Sequence, residues 1–455
     1  MKVFGSSGTR GRANEELTPG FVLRVAAAAG TVWRADRVAV GRDTRTTGRM
    51  LGNAAASGLA MVGADVDRLG VVPTPGLQAY CEAEGIPGVM ITASHNPPEY
   101  NGVKLVGEDG VELPVDRLER VEEIFLGERE DPVSWDRTGE DGDVDGARRG
   151  YIEQLLEAVD REAIADADLT VALDPGHGAG SLTSPEFFRR LGCSVVTVNA
   201  HPDGYFPGRL PEPVEENLAD LGRLVRAADA DVGIAHDGDA DRAIFFDERG
   251  EYVEGDATLA ALAEATLEAG DTTVSAVNVS QRLVDVADRV GADLELTPIG
   301  STRIMTRIRE LQQEGATVPV AGEGNGGVIF PAYRMNRDGA YTAARFLQLV
   351  AERPTSEIVT PYDGYENVRI NLEYETEAER EALVEAARET ARSEDGELTT
   401  IDGYRVDYGD AWVLARPSGT EPVVRIYAEA RDRARARNLA SGFADVLESA
   451  RAAAE

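Results

Sequence analysis

The sequence predicts an α/β fold, built as several domains in a row with a smaller α+β domain at the C-terminal end. Two observations predict it. Short apolar runs recur ahead of glycine-bearing loops and helical stretches, which is the alternation of mostly parallel sheets. A length of 455 residues, at roughly 100–200 residues per domain, calls for three or four domains.

Taken in order, Arg37–Gly41 reads as a buried strand, followed by a turn and an Ala-rich helix from about Gly48 to Val62. Gly88–Ile91 is a second apolar run. Leu169–Asp174 is another strand, followed by the glycine-rich turn Gly176–Gly180, and Val232–Asp237 is the next. Val274–Asn278 and Val318–Ala321 continue the pattern. From Val368 onward the chain reads as strand, helix (about Thr376–Arg392), three short strands and a final helix from about Asp432. In such sheets ligands gather at the carboxyl ends of strands, so the loops there are the places to look.

Composition shifts set the boundaries. Glu128 to Gly150 is acidic and poor in apolar residues, a further break falls near Gly250–Gly255, and the pattern changes again around Thr355–Pro361. These shifts predict domains at 1–147, 148–252, 253–361 and 362–455.

Charge narrows the function. Lys plus Arg number 46 against 81 Asp plus Glu, a net charge of −35, so no basic surplus exists to neutralise a nucleic acid. No apolar run approaches the ~20 residues that span a bilayer, and the N-terminus has no signal-peptide core. Two cysteines in separate regions, Cys81 and Cys193, exclude a disulfide scaffold and fit a reducing cytoplasm. Lysine occurs only at Lys2 and Lys104. An acidic, lysine-poor surface suits molar salt, where the Debye length is roughly 3 Å; drift in codon composition would give a similar bias.

Four segments carry chemistry. In Thr92–Lys104, a serine and a histidine leave a buried run on a loop stiffened by Pro97 and Pro98. Asn101-Gly102 then turns the chain, and Lys104 follows. Ser94 beside His95 and Lys104 can act as a nucleophile or carry a transferable group; an ST-turn serine and a solvated lysine would look the same. Asp237, Asp239 and Asp241 alternate on a loop leaving a strand and can converge on one hard cation. An EF-hand would need Gly where Arg242 stands. The similar spacing at Asp141, Asp143 and Asp145 has no strand leading in and reads as a solvated linker. Gly322–Gly327 offers Glu323 and Asn325 to sugar hydroxyls, or is a plain glycine-rich turn. Arg416–Pro422 with Arg425 combines backbone N–H groups, hydroxyls and guanidinium forks into a phosphate cradle, or is a turn with surface arginines. His177, His201 and His236 show no zinc spacing and read as structural.

Together these segments resemble the α-D-phosphohexomutase superfamily. The order Thr92-Ala93-Ser94-His95-Asn96-Pro97, Asp237–Arg242, Gly322-Glu323 with Gly326-Gly327, and Arg416–Pro422 is similar to the family's, as is the opening Phe4–Gly11. The resemblance covers nearly the whole chain. It implies three similar mixed α/β domains and a smaller α+β domain around a central cleft. It also implies that Ser94 carries a phosphoryl group and binds Mg²⁺ together with Asp237, Asp239 and Asp241. Arg242 and Arg10 would steady that group, and Lys104, with His95, would assist proton transfer. Glu323 and Asn325 would contact the sugar, while Arg416, Ser418, Gly419, Thr420 and Arg425 would hold the unreacting phosphate.

The resemblance further implies the reaction. A phosphoserine would exchange phosphate between C6 and C1 of a hexose phosphate through a sugar bisphosphate, with hexose 1,6-bisphosphate as activator. The Asn325 form of the sugar loop is similar to archaeal phosphoglucosamine and phosphomannose/phosphoglucose mutases. Glucosamine phosphate is therefore the first expectation, glucose or mannose phosphate the second, and a sugar phosphatase the third. The expected partner is a small sugar phosphate, without nucleic acid or membrane, for a cytoplasmic monomer or homodimer. Thr302 and Arg303 occupy a segment where some members carry a ligand-facing Arg, and either could serve.

Overall fold

The computed structural model describes residues 3–5, 8–418 and 422–454. Gly419 and Thr420, expected in the phosphate cradle, lie outside the described residues. The chain divides into two compact units, Met1–Thr258 with Asn325–Thr360, and Leu259–Gly324 with Pro361–Glu455.

The first unit holds two sheets with parallel centres. One runs in the order Thr9–Arg12, Tyr100–Val106, Gly88–Ile91, Arg37–Arg42, Asp65–Val71, Asp141–Asp143. Arg37–Arg42 pairs in parallel with neighbours on both sides, and its Val38, Ala39 and Val40 are buried, as a strand covered on both faces requires. Helices Pro19–Trp33 and Gly48–Met61 pack closely, because a Cβ on Gly58 would meet the Leu23 carbonyl at 2.2 Å. The chain passes from Arg37–Arg42 to Asp65–Val71 on one side, then returns to Gly88–Ile91 on the other. Between the carboxyl ends of Arg37–Arg42 and Gly88–Ile91 the strand order therefore reverses, which opens a crevice.

The second sheet runs Tyr252–Val253, Ile244–Phe246, Val232–Ala235, Thr170–Asp174, Ser194–Thr197. Its last three strands are parallel, and Val232–Ala235 delivers the chain into the Asp237–Asp241 loop. The hairpin Gly327–Phe330 with Arg334–Arg337 completes the strands of this unit.

In the second unit, Thr272–Ala276 pairs in parallel with Asp293–Thr297 and Ala321–Glu323. A fully antiparallel sheet follows, in the order Glu366–Glu373, Val423–Ala430, Ala411–Pro417, Tyr404–Asp407, Glu397–Thr399. Helices Glu377–Ser393 and Arg433–Ala454 cover its apolar face. The Arg405 guanidinium donates to the carbonyls of Val277 at 2.7 Å and Val279 at 3.2 Å and lies 4.4 Å over the Trp412 ring, so parallel and antiparallel parts share one core.

Four local expectations are corrected. Asn101-Gly102 does not turn the chain: both lie inside the strand Tyr100–Val106, where a Cβ on Gly102 would meet the Thr92 carbonyl at 2.5 Å. Asp141–Asp143 is not a plain linker but an exposed edge strand beside Asp65–Val71, its Asp141 paired with Arg68. The run Val318–Ala321 becomes strand only from Ala321, although Val318 and Val320 are buried. Four strands, not three, follow the helix Glu377–Ser393.

Candidate active site

Two loops meet at the strand-order reversal of the first unit. Ser94 leaves Gly88–Ile91 with φ +51°, and its fully buried hydroxyl donates to Asp237 Oδ2 at 2.7 Å. Asp237 leaves Val232–Ala235, and the loop turns at Ala240 with φ +56°. The approach is close enough to demand glycine at 238, where a Cβ would stand 2.6 Å from the Ser94 carbonyl oxygen.

Asp237, Asp239 and Asp241 are buried, with ligand oxygens all within 4.8 Å of one another. Lys104 Nζ donates to Asp239 Oδ2 at 2.9 Å and to Asp241 Oδ2 at 3.1 Å. Thr74 Oγ1 donates to Asp239 Oδ2, and Arg337 to Asp241 Oδ2, both at 2.6 Å. Burial alone would lower the Lys104 ammonium, but Asp239 and Asp241 outweigh it and hold it charged. Burial would raise Asp241, but Arg337, Lys104 and Arg242 keep it far below the usual carboxylate range. Asp239 is lowered by Lys104 against the same burial. Asp237 behaves oppositely: burial, then Asp241 and Asp239, raise it well above that range.

The residues fit a metal ion. Among the described residues Asp239 Oδ1 and Asp241 Oδ1 are buried with no hydrogen-bond partner, an expensive state for anionic oxygens. Three carboxylates in an all-oxygen, desolvated loop are the donor set of a hard divalent cation.

His95 Nδ1 lies 3.2 Å from Ser94 Oγ and 3.0 Å from Arg242 NH2. A guanidinium only donates, so Nδ1 accepts, and the ring is neutral with its proton on Nε2. Burial, then Arg242 and Arg10, depress its pKa well below the ordinary imidazole value. Arg10, on Thr9–Arg12 opposite Gly102, donates to Asn96 Oδ1 at 3.2 Å. The site thus gathers the hydroxyl of Ser94, three aspartates and the cations Arg10, Lys104, Arg242 and Arg337.

Four family models cover nearly the whole chain. They describe phosphoglucomutase/phosphomannomutase alpha/beta/alpha domains I, II and III at residues 1–131, 149–250 and 254–365, and the C-terminal domain at 368–446. The chain belongs to the phosphoglucomutase/phosphomannomutase family. It is 42% identical to a phosphoglucomutase/phosphomannomutase of Thermococcus kodakarensis, covering 99% of each chain. It is also 42% identical to a probable phosphoglucosamine mutase of Methanopyrus kandleri, covering 98% of each. A phosphoglucomutase/phosphomannomutase family protein of Burkholderia thailandensis superposes with TM-score 0.84 at 28% identity, covering 98% of this chain and 97% of that one. The chain is therefore an enzyme of the phosphohexomutase kind, with three α/β/α domains and a C-terminal domain.

In this phosphohexomutase the other expected residues fall as follows. Asn325 Oδ1 accepts from the Gly327 N–H at 3.0 Å, and the Gly326 carbonyl accepts from the Ala243 N–H at 3.1 Å, beside the aspartate loop. In the second unit Glu323 ends the strand Ala321–Glu323. There Arg416 and Arg425 stand opposite each other on paired strands, Arg416 bridges to Asp402 at 3.1 Å, and the Ser418 N–H donates to the Val423 carbonyl at 2.8 Å. Thr302 is buried in the helix Ser301–Gln313 and Arg303 is exposed. Glu248, the twelfth residue counted from Asp237, where an EF-hand would carry its last ligand, bonds to Ser356 instead.

Thr74 and Arg337 escaped the sequence reading. Thr74 sits between two prolines and Arg337 lies 96 residues beyond Asp241, so no local spacing announces them. No helix among the described residues is long and apolar enough to cross a membrane.

His236, next to the aspartate loop, is structural. Its Nδ1–H donates to the Arg242 carbonyl at 2.8 Å, and its Nε2 accepts from Ser184 Oγ at 3.1 Å. Burial lowers its pKa to about 4, below the ~6.5 of the unfolded chain. The unfolded state therefore takes a proton that the folded state refuses, and stability is lost as pH falls from about 6.5 to about 4, by roughly 3 kcal/mol in total. Thermal midpoints between pH 7 and pH 4.5 should fall more steeply for the native chain than for His236→Asn. Parallel curves would refute this.

Proposed function

We propose that the protein interconverts hexose 6-phosphates and 1-phosphates through phospho-Ser94, with glucosamine phosphate as the preferred sugar. The observation that carries the reading is the 2.7 Å contact between the Ser94 hydroxyl and Asp237 within a buried cluster of carboxylates and cations. Phosphoryl transfer needs alignment and charge neutralisation more than covalent help. The cluster supplies both.

In the first half-reaction the Oγ–P bond of phospho-Ser94 breaks as a bond forms from phosphorus to the free hydroxyl of the sugar phosphate. The proton of that hydroxyl passes to neutral His95, a weak acceptor that suffices for a loose transition state, and from its Nδ1, 3.2 Å away, to the departing Ser94 Oγ. Lys104, held as an ammonium, and Arg242 and Arg10 neutralise the charge on the moving group. The sugar bisphosphate then reverses its ends, with the second phosphate held by Arg416, Ser418, Gly419, Thr420 and Arg425 and the ring by Glu323 and Asn325. In the second half-reaction the Ser94 Oγ–P bond forms as the other ester bond of the bisphosphate breaks, and the Ser94 proton passes through His95 to the leaving sugar oxygen. Asp237, Asp239 and Asp241 would hold Mg²⁺, which adds positive charge at the transferring phosphoryl oxygens. Hexose 1,6-bisphosphate would re-phosphorylate enzyme that has lost its phosphate.

The small partner is a sugar phosphate, and the acidic, lysine-poor surface supports work in a salt-rich cytoplasm. Comparing kcat/KM for the 1-phosphates of glucosamine, glucose, mannose and N-acetylglucosamine in high KCl tests the reading. Glucosamine 1-phosphate is expected to lead. A lead by glucose or mannose would move the substrate, and inorganic phosphate without isomerised sugar would replace mutase with phosphatase.

A further inference from the structure

The Ser94 loop is irregular backbone up to the strand Tyr100–Val106, so most of its carbonyls must find partners outside a ladder. They converge on one side chain. Arg45, fully buried just past Arg37–Arg42, places NH1 2.6 Å from the Pro97 carbonyl and 2.9 Å from that of Tyr100. Its NH2 stands 2.9 Å from the Ser94 carbonyl and 2.6 Å from that of Asn96. Its Nε donates to Asp43 Oδ2 at 3.0 Å. A guanidinium carries five N–H hydrogens, and all five are engaged. None remains for a substrate, so whatever Arg45 does for the reaction it does through the loop.

The surroundings hold Arg45 as firmly as it holds the loop. Asp43, itself fully buried, also accepts from Thr92 Oγ1 at 2.7 Å and from the Arg45 N–H at 2.9 Å. Thr92 Oγ1 in turn accepts from the Ser94 N–H at 2.9 Å. The Phe206 ring covers the guanidinium with its centroid 5.2 Å away. Gly204 lies against the same turn, where a Cβ would stand 2.3 Å from the Thr44 carbonyl oxygen.

Ser94 adopts φ +51°, a left-handed conformation that costs a non-glycine residue of order 1–3 kcal/mol and persists only when its surroundings over-determine it. We infer that Arg45 is the positioning residue of the phosphoserine loop. Resting on the mutase reading above, it fixes Ser94 in the left-handed conformation that aims Oγ at Asp237. Because its bonds to the loop all go to main-chain carbonyls, and none to Oγ, the same clamp serves the free and the phosphorylated serine. The nucleophile then need not be rebuilt between half-reactions.

Lysine cannot substitute. Its three hydrogens leave one point, whereas the four carbonyls and Asp43 lie around the edge of a planar fork. In folded Arg45→Lys, kcat should fall about 100-fold, the scale of a roughly 1 Å misplacement of a reacting group, with KM within threefold of wild type. Single-turnover phosphorylation of Ser94 by glucose 1,6-bisphosphate, followed by intact mass, should slow by the same factor. A folded variant with kcat within threefold of wild type, or a loss carried by KM alone, overturns the proposal. If Arg45→Lys does not fold, Asp43→Asn decides. It keeps the shape and removes the charge that orients Nε, and it should lower kcat about tenfold at unchanged KM; an unchanged kcat rejects the clamp. Wild type and Ser94→Ala run alongside separate the two readings. If wild type takes no phosphate from the bisphosphate, the mutase reading fails. If it does, and Arg45→Lys matches it, only the clamp fails.

Discussion

Replacing Ser94 with alanine is expected to lower mutase turnover by roughly four orders of magnitude or more, the scale seen when a covalent nucleophile is removed. The fold should survive. The Ser94 N–H bond to Thr92 and its carbonyl bond from Arg45 are main-chain contacts that alanine keeps. The Oγ contacts to Asp237 and to His95 Nδ1 disappear. Asp237 already has a raised proton affinity because burial and its two neighbouring aspartates disfavour its charge, so it can keep a proton when its donor is lost. The stability cost should stay near 1–3 kcal/mol, that of one unsatisfied buried acceptor. A coupled assay with added glucose 1,6-bisphosphate reads the activity, and a thermal melt reads the fold. Turnover within tenfold of wild type in a protein melting normally would remove Ser94 from the chemistry.

The parts of the fold and site legible in the sequence were those encoded locally. Arg37–Gly41 and Val232–Asp237 are short apolar runs buried on both faces, and they became strands within a residue or two of expectation. Ser94 and the three aspartates were legible because strand ends place loops, and the loops carry their own chemistry. Arg337, Thr74 and Arg45 were not legible, because each gains its role from a partner brought near only by the sheet. Arg45 reads as one arginine among many until the carbonyls of Ser94, Asn96, Pro97 and Tyr100 surround it. Gly102 misled for a related reason. Asn-Gly is a strong turn signal, but here tertiary crowding selects the glycine, since any side chain would strike Thr92 across the sheet. The acidic run at Asp141–Asp143 shows the converse: composition said solvent, correctly, while the edge of a parallel sheet still recruited it as a strand.

Asp239→Asn separates the aspartate loop's ordinary hydrogen bonding from its capacity for a cation. Asp239 uses its two oxygens differently. Oδ2 accepts from Thr74 at 2.6 Å and Lys104 at 2.9 Å, whereas Oδ1 is buried with no hydrogen-bond partner among the described residues. The amide of asparagine will place its oxygen where the two donors are, because the reverse orientation would set N–H groups against an ammonium and a hydroxyl. Its NH2 then occupies the Oδ1 position and points donors at the place where the triad would grip a cation. Thr74 and Lys104 thus keep their contacts while one anionic ligand becomes a repulsive one. The melting temperature without metal should change little, since the neighbours' contacts survive and the buried cluster loses a negative charge. The Mg²⁺ concentration for half-maximal activity should rise at least about tenfold, because affinity at such sites follows the count of charged ligands. Turnover at saturating Mg²⁺ should fall by roughly a thousandfold, as expected when a pre-organised charge beside a transferring phosphoryl group is misplaced. A titration superimposable on wild type would show that Asp239 does not bind the ion. A large loss of thermal stability without metal would show that Oδ1 has a structural partner, and that the triad is not the open acceptor set it is taken to be.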